Sequence, residues 1–155
     1  MAKILILVGS VNGCALQSAE AVGALMERLG HQVELISELG PRDLLRDPQE
    51  LLLVCCSTTG DGQLPRNLYG IYYAMDDGVV DLHGRYYGVI ALGDRGYPQF
   101  AAGGLKLEGM LYKAGAKRIG DICLLDAQVE DNQPLAAAKW ALEWHKLLSE
   151  QGVAA

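Results

Sequence analysis

Leu51 to Pro65 reads LLLVCCSTTGDGQLP, and the reading of this stretch decides the fold. Leu51 to Cys56 is an unbroken run of apolar and thiol side chains, and hydroxyl, glycine and acidic residues follow at once. A short continuous apolar run bounded by turn chemistry suits a strand buried on both faces of a parallel sheet. The polar half then lies just past the carboxyl end of that strand. Open α/β sheets bind their ligands in that position, at the crevice where the strand order reverses.

Working outward, the flanking segments alternate between strand and helix patterns. Lys3 to Val8 reads as a first buried strand, and Ala15 to Leu29 as a helix. The helix is expected to bury Leu16, Ala19, Val22, Leu25, Met26 and Leu29 and to stop at Gly30. Gln32 to Ile36 alternates like a strand, and Pro41 to Asp47 is a polar connection with room for one helical turn. After the central strand, Asn67 to Met75 reads as a helix and Arg85 to Ala91 as a buried strand. Ala102 to Ala114 reads as a helix with Leu105, Leu107, Met110 and Leu111 inward. Lys117 to Leu125 contains a final strand interrupted at Gly120 and Asp121. Pro134 to Ser149 forms the last helix, laying Trp140, Trp144 and Leu147 or Leu148 on the sheet. This alternation predicts a parallel, doubly wound α/β sheet in a single domain, residues 1–155.

Composition narrows the function. Half of the 155 residues are apolar and the net charge is −6, which argues against a general nucleic-acid or membrane-surface binder. Cys14, Cys55, Cys56 and Cys123 show neither a CxxC pair nor metal-ligand spacing, so reduced thiols are expected and no metal site. Cys55 and Cys56, adjacent in one strand, should face opposite sides of the sheet. The opening MAKILILVGS is too short an apolar run for a signal peptide or membrane span, and a cytoplasmic protein is expected.

Three loops leave the same edge of such a sheet: GSVNGCA (9–15), STTGDGQLP (57–65) and LGDRGYPQF (92–100). The first opens a helix, whose backbone N–H groups and dipole favour an anion. It lacks both GxxxxGK and GxGxxG, so a P-loop or dinucleotide fingerprint is absent. Gly and Ser are equally ordinary in a plain strand-to-helix turn, and this loop alone decides little. In the second, Gly60 and Gly62 allow cheap changes of backbone conformation. The third places Asp94 past a strand end, with Tyr97 and the chain's single Phe, Phe100, close behind. That concentration of aromatics favours a flat ligand stacked there.

STTGDG and LGDxxYxxF, together with the hydroxyl- and glycine-containing first loop, resemble a short-chain flavodoxin, of the small YqcA and MioC type. The similarity runs from Lys3 to about Leu148. It implies a flavodoxin-like five-stranded sheet of order 2-1-3-4-5 with helices on both faces, FMN as cofactor, and one-electron transfer at low potential. The implied partners are a flavodoxin/ferredoxin-NADP reductase-type donor and acceptor redox enzymes, with the chain a monomer that has no substrate of its own. Two other readings stay open: an NAD(P)H-dependent FMN or quinone reductase, and a flavin-free binding or regulatory module.

By the same resemblance Ser10, Val11, Asn12, Gly13, Cys14 and Ala15 hold the FMN phosphate. Ser57, Thr58, Thr59, Gly60, Asp61 and Gly62 border one flank of the ring; Leu92, Gly93, Asp94, Tyr97 and Phe100 border the other. Tyr97 matches the stacking tyrosine, and Gly60 the glycine whose carbonyl turns towards flavin N5 on one-electron reduction. Asp61 and Asp94 place negative charge near the flavin, which opposes its full reduction. The chain also departs from the family pattern. Asn12 and Ala15 replace hydroxyl residues, Thr59 replaces a second stacking aromatic, and Arg95 and Gly96 replace paired serines. Each missing hydrogen bond to the phosphate costs about 1.5–3 kcal/mol unless replaced, so weakened FMN binding is expected.

Overall fold

A computed structural model describes residues 2–9, 13–38, 40–58, 63–94, 96 and 101–153. The strands are β1 (Lys3–Gly9), β2 (Gln32–Ile36), β3 (Leu51–Cys56), β4 (Tyr86–Gly93), β5 (Lys117–Arg118) and β6 (Cys123–Asp126). The helices are α1 (Cys14–Arg28), α2 (Pro41–Leu45), α3 (Tyr69–Asp76), α4 (Ala102–Lys113) and α5 (Gln133–Glu150), with a 3-10 turn at Arg66–Leu68 leading into α3. All strand pairs are parallel, in the order β2-β1-β3-β4-β5, with β6 also on β4.

β3 is central because every one of its side chains is buried. Its alternation divides the core. Leu51, Leu53 and Cys55 join Ile4, Ile6, Val8, Ile90 and Leu92 beneath α1 and α5. Leu52, Val54 and Cys56 join Leu5, Leu7, Tyr87 and Val89 beneath α2, α3 and α4. The two adjacent thiols therefore do face opposite sides. Both cores are layered helix on sheet, as expected for strands that are apolar on both faces.

The interruption expected in the last strand is present, and the inward placement expected of two helix residues needs correction. The last strand is two short pieces, β5 and β6, separated at Gly120, whose φ of +75° takes the chain out of the ladder. Five strand positions are thus filled by six segments. Leu16 and Leu105, expected inward, are each 41% exposed. In α1 the sheet side carries Ala15, Ser18, Ala19, Val22, Gly23 and Met26; in α4 it carries Gly103, Gly104, Leu107 and Leu111. Close approach to the sheet selects small residues: a Cβ on Gly104 would stand 2.5 Å from the Cβ of Ala91, and one on Gly23 3.1 Å from Leu35 Cδ1. Large apolar residues therefore mark the helical phase less faithfully than small ones here.

The last helix docks through Trp144, which is buried and donates Nε1–H to Ile119 O at 3.0 Å. Trp140, half-buried, donates to Asp121 O at 3.2 Å and stacks on Trp144. Gly88, in the middle of β4, is where the indole lies; a Cβ there would meet Trp144 Nε1 at 2.7 Å. Among the described residues no helix is long and apolar enough to cross a membrane.

Candidate functional site

The strand order reverses between β1 and β3, and their carboxyl ends are joined by Ser57 N–H donating to Gly9 O at 2.7 Å. Gly9 has no side chain because the turn at 65–68 lies against it: a Cβ would stand 2.3 Å from Leu68 Cδ1. Past the first strand, Gly13 takes φ +83° and opens α1; among the described residues outside its own helix and chain neighbours, no atom lies within 4 Å of where its Cβ would be. The first turn of α1 carries no acidic residue of its own, which leaves the positive end of its dipole suited to an anion. Cys14 is exposed there and Ala15 is fully buried. Ser10, Val11 and Asn12 lie outside the described residues.

The second loop is anchored from two sides. Cys56 Sγ donates to Ser57 O at 3.1 Å, and Thr58 Oγ1 accepts the N–H of Gly103 at 3.0 Å. That bond ties the loop to the start of α4. Gly103 also makes the approach possible, since a Cβ would stand 2.7 Å from Ser57 O and 3.1 Å from Gln63 O. Thr59, Gly60, Asp61 and Gly62 lie outside the described residues.

In the third loop Leu92 is buried and Gly93 and Asp94 are half-buried at the end of β4. Asp94 Oδ1 accepts two hydrogen bonds, from Gly96 N–H at 2.7 Å and from Gln128 Nε2 at 2.8 Å. Arg95, Tyr97 and Phe100 lie outside the described residues. Ala101, which leads into α4, is buried and holds φ +55°. A fourth segment that sequence reading missed, residues 126–130 after β6, therefore reaches the same edge through Gln128. Its sequence signal is faint: DAQVED is ordinary turn chemistry.

Burial pushes the thiols of Cys56 and Cys123 up to about 12 and that of Cys55 higher still, so none of the three ionises near neutrality. Among the described residues no group of three His, Cys, Asp or Glu side chains is placed to hold a metal ion.

Residues 6–140 match the flavodoxin family. The chain belongs to that family. It is 36% identical over 151 residues to Flavodoxin YqcA of Pectobacterium carotovorum subsp. carotovorum, covering 97% of this chain and all of that one. Among solved structures it resembles the C101A mutant of flavodoxin from Pseudomonas aeruginosa, with a TM-score of 0.87 and 33% identity across 95% of this chain and 99% of that one. The sulfite reductase [NADPH] flavoprotein alpha-component of Thiocapsa roseopersicina is 33% identical over 129 residues, which are 80% of this chain and 24% of that larger one.

Membership assigns this flavodoxin FMN as its cofactor and electron carriage as its function. Family members work with reductase partners. The reductase and flavin-free readings raised by the sequence are not favoured. The residues present fit FMN: the first turn of α1 carries no carboxylate that would repel a phosphate, Gly13 brings backbone rather than a side chain to that end, and hydroxyls of Ser57 and Thr58 border the adjoining strand end.

Proposed function

We propose that this flavodoxin holds FMN across the carboxyl ends of β1, β3 and β4 and serves as a low-potential single-electron carrier. Its donor is a flavodoxin/ferredoxin-NADP reductase-type enzyme, its acceptors are redox enzymes, and it acts as a cytoplasmic monomer with residues 1–155 as one FMN-binding domain. The three buried free thiols support a reducing compartment. The observation that carries the reading is that α1, whose first turn carries no acidic residue, opens at the point where the strand order reverses.

Bound FMN supplies the one-electron chemistry. The protein binds, orients and tunes. Ser10 to Ala15 hold the phosphate through backbone N–H groups rather than basic side chains. Ser57 to Gly62 flank the ring on one side. Leu92, Gly93, Asp94, Tyr97 and Phe100 flank it on the other, with Tyr97 stacking. Asp61 and Asp94 oppose added negative charge on the ring, and because Asp94 is half-buried its field is only partly screened. The bond from Gly103 to Thr58 fixes one wall of the site to α4.

Calorimetric titration of the apoprotein tests the phosphate assignment. FMN should bind at least about tenfold more tightly than riboflavin, since even one charge-assisted hydrogen bond is worth that much. Equal affinities would remove residues 10–15 from the site.

A further inference from the structure

We propose that Gln128 is a positioning residue for the flavin, fixing the carboxylate of Asp94 and thereby the preference of the site for oxidised over reduced FMN. β6 runs beside β4 with Ile90 opposite Cys123 and Gly93 opposite Asp126. The ladder continues one step further, with Ala127 N–H donating to Gly93 O at 2.9 Å. The turn after β6 is thereby locked to the start of the third loop. Asp126, only 5% exposed, shapes that turn: its Oδ1 accepts Gln128 N–H at 2.9 Å, and its carbonyl accepts Val129 N–H at 3.0 Å and Glu130 N–H at 2.8 Å.

This geometry delivers the Gln128 amide to Asp94 Oδ1 at 2.8 Å, on the oxygen that already accepts Gly96 N–H. A carboxylate only accepts, so the amide nitrogen must face it, which sets the orientation of the Gln128 side chain. Glycine at 96 keeps the approach open: a Cβ there would stand 3.0 Å from Asp94 Oδ1 and 3.4 Å from Gln128 Nε2. One donor comes from the loop of Asp94 itself and the other from a different strand end, so the carboxylate cannot rotate without breaking a bond to either. A fixed, half-buried negative charge opposes charge added to a neighbouring ring; one that swings into water is screened.

The inference rests on Asp94 being part of the flavin site. It is tested in the full chain by the ratio of dissociation constants for reduced and oxidised FMN, obtained from affinity measurements and a redox titration. Asp94→Asn should lower that ratio. Gln128→Leu should lower it too, by about two- to fivefold, the worth of a well-made exposed charged contact. The double variant should go no lower than Asp94→Asn alone, because Gln128 acts through the charge that Asn removes. In the apoprotein, Asp94→Ala should shift the NMR resonances of the Gln128 side-chain amide. A ratio moved by Asp94→Asn but untouched by Gln128→Leu overturns the role of Gln128 and leaves Asp94 in the site. Fully additive effects also overturn it, since Gln128 would then act on the flavin directly. If Asp94→Asn leaves the ratio unchanged, the placement of Asp94 and the role of Gln128 fall together.

Discussion

Gly103 and Gly109 occupy the same helix with opposite surroundings. A methyl group on Gly103 would press on the backbone oxygens of Ser57 and Gln63, whereas one on Gly109 meets nothing within 4 Å among the described residues outside its own helix. Backbone cannot step aside as a side-chain tip can. Gly103→Ala should therefore displace the second loop, weakening FMN binding and costing about 1–3 kcal/mol of stability, the usual cost of overpacking. Gly109→Ala, exposed in the helix interior, should instead stabilise by about 0.5–1 kcal/mol through chain entropy and leave FMN affinity alone. Urea unfolding of the apoproteins and FMN titration, run on both variants, check the pair. Similar losses of affinity in both would disconnect Gly103 from the site.

At the scale of elements, α5 depends on a vacancy in β4. The indole of Trp144 lies where the side chain of residue 88 would be. Gly88→Ala should cost about 1–3 kcal/mol, and less in a Trp144→Phe background, because the smaller ring yields space. Circular dichroism across a urea series checks both values. Additive losses would show that the contact does not limit packing. The strands and helices were legible because each has its own period: unbroken apolar runs for β1, β3 and β4, a recurring apolar face for α1, α4 and α5. β2 was predicted residue for residue, and the break at Gly120 was visible as a glycine in a strand pattern. Helical phase was less legible at Leu16 and Leu105, where close packing chose alanine and glycine for the sheet side. For the candidate site, the positions of the loops at the ends of β1, β3 and β4 were legible because glycine, hydroxyl and acid residues follow an apolar run. Gln128 could not, since its position comes from pairing between β4 and β6, residues more than thirty apart in sequence.

For the whole molecule, acid should loosen the face built by α1 and α5. Ala2 N–H donates to His31 Nδ1 at 3.1 Å, so the neutral ring carries its proton on Nε2 and gives it to His145 Nδ1 at 2.8 Å. Burial, reinforced by the neighbouring His145, holds His31 below the ordinary histidine value of 6.5. The unfolded chain therefore takes up a proton that the folded chain refuses. Stability from this pair is present above pH 6.5 and is lost as the pH falls below that value towards the folded pKa. Urea midpoints measured between pH 7.5 and 5 should decline, and His31→Gln should flatten that decline. An unchanged slope in the variant would assign the acid sensitivity elsewhere. The docking of α5 has a further, optical consequence. Both tryptophans of the chain belong to this one helix, stacked with ring centroids 5.8 Å apart, and both indoles are tethered to carbonyls in the link between β5 and β6. Their ultraviolet emission will shift to the red when α5 lifts from the sheet and water reaches the rings. Loosening confined to the loops at the carboxyl edge will leave that colour unchanged, so a single spectrum separates a chain that has opened that edge from one that has lost its last helix.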